Sequence, residues 1–248
     1  MASYYIGLSL LSNNRYGAAE RRQLLSAEGL RVLSLLEGRA PGTDEIAREE
    51  NGRPFFPDRH ADFNISHSGN MAAVSLVSGQ GRHGETMQIR TGCDIQLIKP
   101  RVKMREIAEE FFSAAERDYI FSSDGDRCEA ARFFQIWTLK ESYLKLRGFS
   151  VFDMGKAPSF VCGGSLEPLT FNAEAPLSFY LYEISGPCER YMLAAAFEGV
   201  GATQPEIRWF SQPASERLFF CEIKFPDNSS RGERQDAEGT AMAPCTGT

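Results

Sequence analysis

The sequence predicts a mixed helix-and-strand protein in two halves of similar order, each a helical part followed by several strands. Two observations carry this. Long runs of helix formers without internal Pro or Gly, such as "EAARFFQIWTLKESYLKLRGFS", read as helices, and short apolar runs bounded by Gly, Ser or Pro read as strands. No residue-level repeat is visible, so the duplication is one of order alone. The chain has 248 residues, 42% hydrophobic and 24% charged, enough for one large domain or two small ones with a sizeable core.

"YYIGLSLL" is the first strand, and residues Ala18 to Leu36 form the first helix. A Pro/Gly break follows at "GRAPGTDE". Thr43 and Asp44 are placed to cap a short helical turn before the "NGRP" turn. "MAAVSLV" is a small-residue strand, "GQGRHGETMQ" a loop or hairpin tip, and "IRTGCDIQLI" another strand. The second half opens with "MREIAEEFFSAAERDYIF", a helix, a break and a helix, then a polar break at "SSDGDR". The helix around Trp137 carries apolar side chains over nearly its whole circumference, which implies burial. Strands follow near "PSFVCG", "LSFYLYEIS" and "YMLAAAFEG". "WFSQPASERLFFCEIKF" reads as a last strand and turn. Residues 227–248 have little to bury and read as a disordered tail.

Composition excludes several classes. No apolar stretch approaches the roughly 20 residues of a membrane span, and the first residues lack the basic segment of a secretory signal. Six scattered cysteines with no C-x-x-C pair argue for reduced thiols in a cytoplasmic protein. Three histidines without ligand spacing argue against a histidine metal site, and a net charge of −6 against nucleic acid as partner. The charge is uneven, with Lys99, Arg101, Lys103 and Arg105 clustered in "KPRVKMR".

Three motifs carry chemistry. "NGRPFF…DFNISHSGN" places Ser66, His67 and backbone N–H groups at a loop able to hold phosphate oxygens, with Arg53 upstream. The plainer reading is a histidine bonded to local backbone. In "TGCDIQLI", Asp94 and Gln96 point to one face of a strand, the minimum for a hard-cation site, although Asp at a strand end is common. The third is the buried helix with Lys140, Glu141 and Lys145. Glu141 and Lys145 at i, i+4 read most simply as a helical ion pair. A Mg²⁺ ion shared by Asp94 and Glu141, with phosphates beside the cations, would otherwise compensate charges in so apolar a setting.

Taken together, "FNISHSG", "GCDIQ", "FFSAAE" and "WTLKESYLK" resemble, in order and spacing, the 4′-phosphopantetheinyl transferases of the Sfp type, over about residues 20–198. "NGRPFF" is similar to that family's G-K/R-P stretch. The resemblance implies an α+β fold of two similar subdomains about a pseudo-twofold axis, here 1–98 and 99–226, with coenzyme A in the cleft between them. It implies transfer of the phosphopantetheine arm of coenzyme A to a serine of an apo acyl or peptidyl carrier protein, with release of 3′,5′-ADP, in a Mg²⁺-dependent reaction by a monomer. Asp94, Gln96 and Glu141 would hold the metal. Lys145 and His67 would contact the pyrophosphate, with Lys140 beside it, while Arg53 and Ser66 hold the nucleotide phosphates. Glu141, or a water it orients, would take the serine proton, with Glu116 a second base or an outer ligand.

The chain departs from the family pattern at two places. Gln96 stands where many members have a second acid, which predicts weaker metal binding. The stretch before the first helix is short, leaving Arg15, Arg21 and Arg22 for the 3′-phosphate, of which Arg22 is best placed. Residues Lys99 to Tyr119, basic and then apolar, are expected to dock the acidic carrier. The alternative to an enzyme is a decayed module that binds coenzyme A or a carrier without transfer. A purely structural ion pair is the third reading.

Overall fold

The structure, a computed structural model, describes residues 3–12, 16–38, 46–58, 61–79, 89–99, 103–122, 126–162, 164–166, 177–186, 188–198, 204–211 and 218–223. The expected cap at Thr43–Asp44, most of the 79–88 loop, Arg15, Arg101 and the expected tail lie outside these residues.

Strand β1 (Ser3–Leu10) is followed by helix α1 (Ala18–Glu37), the short strands β2 (Ala47–Arg48) and β3 (Pro54–Phe55), then β4 (Ala61–Ser68), β5 (Met71–Ser78) and β6 (Arg90–Leu97). Helices α2 (Met104–Phe111), α3 (Ala114–Phe121) and α4 (Asp126–Arg147) come next, then a 3₁₀ turn at Val151–Lys156. The remaining strands are β7 (Val161–Cys162), β8 (Ser165–Leu166), β9 (Leu177–Ser185), β10 (Arg190–Glu198), β11 (Glu206–Ser211) and β12 (Phe219–Ile223). The result is the mixed α+β class expected. No helix among the described residues is long and apolar enough to cross a membrane.

Two four-stranded sheets form, in the orders β11-β1-β5-β4 and β12-β9-β10-β6. Period-two alternation gives each strand two apolar faces. Tyr4, Ile6 and Leu8 of β1 meet Cys93, Ile95, Leu193 and Ala195 in a layer shared by both sheets. Val32, Leu33 and Leu36 of α1 cover the other face of the first sheet, against Phe63, Val74 and Leu76. Phe133, Ile136 and Leu139 of α4 cover the other face of the second, with Met192, Ala194 and Ala196. Each half therefore packs one long helix on one sheet.

The strands do not follow chain order. β6 precedes the expected boundary at residue 98, yet pairs with β10. β11 comes from beyond that boundary and pairs with β1, in parallel. The segment expected to end in one strand and a turn thus supplies two strands, β11 and β12, to different sheets.

Two local expectations are corrected. Residues 47–48 pair with 54–55 across the "NGRP" turn as a hairpin. The "NISHS" stretch is not a loop. It is the end of β4, paired throughout with β5, and the turn is confined to Gly69 and Asn70. The alternation of Phe63 and Ile65 with Asn64 and Ser66 suits a strand, and Gly69 (φ 58°) supplies the left-handed turn residue.

Candidate active site

β4 and β6 are edges of different sheets and lie side by side. An edge strand has backbone N–H groups without sheet partners. Here the side chains of β4 meet them at every second residue. Asp62 Oδ2 accepts from Thr91 N at 2.7 Å, Asn64 Oδ1 from Cys93 N at 3.1 Å, Ser66 Oγ from Ile95 N at 3.2 Å and Ser68 Oγ from Leu97 N at 3.0 Å. Four short oxygen-bearing side chains on one face of β4 thus join the two halves. Helix α4 presses on β6 from the far side. A Cβ on Gly92 would lie 2.2 Å from Ser142 O, so only glycine permits this approach.

Asp94 sits at the centre of this seam and is 2% exposed. Its Oδ1 accepts from Lys145 Nζ at 2.7 Å and from Ser66 Oγ at 2.9 Å, and its Oδ2 from Gln96 Nε2 at 3.1 Å. Lys145 Nζ also donates to Ser66 Oγ at 3.1 Å and to Cys93 O at 3.2 Å. Lys145 therefore pairs with Asp94 across the seam, not with Glu141 one turn before it. Burial disfavours its ammonium, but Asp94 and Glu141 outweigh that and raise its pKa. Glu141 is partly buried on the same stripe of α4. Burial, and then the Asp94 charge, push its carboxyl up to about 7, with Lys145 pulling the other way.

His67 lies on the opposite face of β4 from Ser66, the face on which Ile65 meets Gly29 of α1. Burial, then Lys145 and Arg22, hold its imidazole below the ordinary range, with Asp94 pulling back, so it is neutral at pH 7. Arg22 is exposed at the start of α1, close enough to act on His67. Asp94, Gln96, Lys145 and Ser66 are thus hydrogen-bonded together, and Glu141, His67 and Arg22 lie near enough to exchange charge effects with one another or with that group.

Four residues are placed otherwise than their expected roles need. Arg53 is 6% exposed. Its guanidinium grips Asp62 with two bonds, of 2.9 and 2.6 Å, and also donates to Thr91 O and Lys145 O. Four of its five N–H donors are spent inside the protein, on the seam itself. Ser66 is likewise engaged, since its hydroxyl donates once and accepts twice, which is all it can do. Lys140 and Glu116 pair with each other at 3.2 Å, with side chains 3% and 0% exposed. Lys140 Nζ also donates to Pro158 O, and Glu116 accepts from Ser113 N and Phe160 N. Neighbours on a helix point about 100° apart, so Lys140 faces the α3 side while Glu141 faces β6.

Asp62 was not singled out from sequence, and Asn64 and Ser68 were read only as members of a phosphate-holding loop. The signal was present, since "DFNISHS" puts polar side chains at every second position, but their partners are backbone groups that no residue type announces.

The donor set suits a hard divalent cation. Asp94 is paired with Lys145, while burial and then the Asp94 charge push the Glu141 carboxyl up to about 7. Among the described residues no group of three or more His, Cys, Asp or Glu gathers as a metal site. A site with few protein ligands is what Mg²⁺ tolerates, because it keeps waters and takes substrate phosphate oxygens. Gln96 presents its amide nitrogen to Asp94, and a half-turn of the amide would present its oxygen instead.

Comparison with known proteins points to one family. Residues 90–196, which run from β6 through β10, match the model of the 4′-phosphopantetheinyl transferase superfamily. The chain is 36% identical over 111 residues to the 4′-phosphopantetheinyl transferase AcpT of Escherichia coli, covering 44% of this chain and 52% of that protein. It is 30% identical over 143 residues to the transferase HetI of Nostoc, 55% of this chain and 56% of that one. The transferase psf-1 of Bacillus pumilus is 31% identical over 153 residues, 60% of this chain and 56% of that one. The chain spans about half the length of these curated relatives.

Proposed function

We propose, from the match of residues 90–196 to the 4′-phosphopantetheinyl transferase superfamily, that this chain moves the phosphopantetheine arm of coenzyme A onto a serine of an apo carrier protein. The observation that carries the reading is the convergence of Asp94, Glu141 and Lys145 at one seam.

The serine Oγ attacks the β-phosphorus of coenzyme A. A new P–O bond forms, the bond to the bridging oxygen breaks, and 3′,5′-ADP leaves with that oxygen. Glu141, or a water it orients, takes the serine proton. Lys145 and neutral His67 hold the pyrophosphate, and Arg22 on the rim meets the 3′-phosphate. Asp94, Glu141 and Gln96 would hold Mg²⁺, which when bound supplies Lewis-acid neutralisation of the phosphoryl oxygens. Arg53 and Ser66 order the seam rather than touch the nucleotide. Glu116 and Lys140 order α4 rather than take a proton or bind phosphate.

We assign carrier docking to residues 99–119. Lys99 and Lys103 are exposed there. A cavity of about 450 Å³ opens nearby, lined by Arg105, Glu109, Arg117, Asp118, Phe121 and Ser122. An acidic partner fits this stretch through its exposed cations. Reversing Arg101 and Lys103 should slow modification and flatten its salt dependence. Unchanged kinetics at low salt would remove the assignment.

The decisive experiment incubates an apo carrier protein with this chain, coenzyme A and Mg²⁺, with an EDTA control, and reads intact mass. A metal-dependent gain of about 340 Da, the mass of the arm, is expected. Gln96 in place of an acid favours the second reading, a decayed binding module. Coenzyme A binding with no gain across fatty-acid, polyketide and peptide carriers would select it.

A further inference from the structure

Lys145 and Asp94 are each given a task by the functional reading above, and the structure spends both on one contact. Lys145 Nζ is ringed by Asp94 Oδ1, Ser66 Oγ and Cys93 O, at 2.7, 3.1 and 3.2 Å. Three oxygens from two strands around one positive centre are the surroundings an oxygen-seeking cation also requires. Gln96 Nε2 covers the other oxygen of the same carboxylate. A divalent cation at Asp94 and an ammonium at 2.7 Å would repel strongly in a seam where Asp94 is 2% exposed.

The two partners differ in freedom. Asp94 is fixed in β6 by strand pairing with β10 and by the Ser66 bond. Lys145 reaches the contact on a flexible four-carbon stem, and its side chain is 26% exposed, so it has somewhere to go.

We propose that Lys145 is an internal counter-cation for Asp94, that a divalent cation displaces it, and that the displaced ammonium is delivered to the phosphate of coenzyme A. This inference rests on the functional reading. Its consequence is that metal and coenzyme A bind cooperatively through one side chain. By linkage, coenzyme A must raise metal affinity by the same factor as metal raises coenzyme A affinity.

The test measures Mn²⁺ binding by electron paramagnetic resonance, on the whole chain, with and without coenzyme A. Wild-type protein should bind Mn²⁺ weakly alone and about tenfold more tightly with coenzyme A. Lys145→Met should bind Mn²⁺ alone about tenfold more tightly than wild type, and coenzyme A should tighten its Mn²⁺ binding by a smaller factor than it does in wild type. Lys145→Arg, which keeps the charge, should behave as wild type. Should Lys145→Met bind Mn²⁺ alone no better than wild type, the displacement is wrong while the functional reading stands. Should wild type take up no Mn²⁺ even with coenzyme A bound, both fall together. A second measurement covers the case that Lys145→Met fails to fold. In wild-type crystals soaked in Mn²⁺, Lys145 Nζ should have left Asp94, and an ion on Asp94 with the 2.7 Å contact intact would overturn the proposal.

Discussion

Replacing Glu116 by Gln tests whether this carboxylate is structural or catalytic. The change keeps shape and removes a charge. Glu116 Oε2 accepts from Ser113 N at 2.8 Å and from Lys140 Nζ at 3.2 Å, and Oε1 accepts from Phe160 N at 2.9 Å. An amide has one oxygen. If it faces Ser113 and Lys140, its NH₂ opposes the Phe160 N–H, leaving a buried donor unsatisfied, at about 1–3 kcal/mol. Lys140 then keeps only neutral partners, the amide oxygen, Pro158 O and the Phe112 ring 5.7 Å away, and stays buried as an ammonium without a carboxylate. Breaking a buried pair from one side costs about 3–5 kcal/mol in all. Lys140→Met should cost less, about 2 kcal/mol, because Glu116 retains two backbone donors. The double variant should recover part of the loss, with a coupling of about 1–3 kcal/mol. Urea unfolding followed by tryptophan fluorescence reads this directly, since Trp137 stacks on Phe133 (5.9 Å between centroids) one turn before Lys140. Transfer per folded molecule should stay near wild type. A Glu116→Gln protein of normal stability that no longer transfers would refute the argument and make Glu116 a catalytic base.

Three further outcomes follow from the seam. Glu141 has its pKa raised from 4.5 to about 7, so the folded state binds the extra proton between those values. Stability should therefore fall as pH rises through that window, by up to about 3 kcal/mol from this group, and Glu141→Gln should flatten the dependence measured by urea unfolding at pH 5 and pH 8. Gly92→Ala would set a methyl 2.2 Å from Ser142 O and 2.5 Å from Leu146 N, both backbone atoms, and should cost about 3 kcal/mol or more in the same assay. Arg53→Met breaks the buried pair with Asp62 and should cost about 3–5 kcal/mol, yet leave the KM for coenzyme A unchanged in the folded fraction. A raised KM at normal stability would return Arg53 to the phosphates.

The mixed fold class, the long helices and most strands were legible along the chain because periodicity and breakers are local. So were the carboxylates, lysines and histidine of the candidate site, because their spacing within "GCDIQ", "NISHS" and "WTLKESYLK" depends on nothing far away. What each charge faces was not legible. Lys140 and Glu141 are adjacent in sequence, and a turn of 100° sends one to Glu116 and the other toward Asp94. Arg53 and Ser66 have the chemistry of phosphate ligands, but Asp62, Thr91, Asp94 and Lys145 reach them first. "NISHS" passed for a loop because its polar residues looked solvent-bound, whereas they satisfy backbone donors on a strand some 30 residues away. By itself the sequence determined which groups this protein can use and on which elements they ride. Tertiary structure alone decided which of them are already engaged, because a hydrogen bond or ion pair is a long-range contact, and a ligand must displace the partner of a side chain that one has saturated.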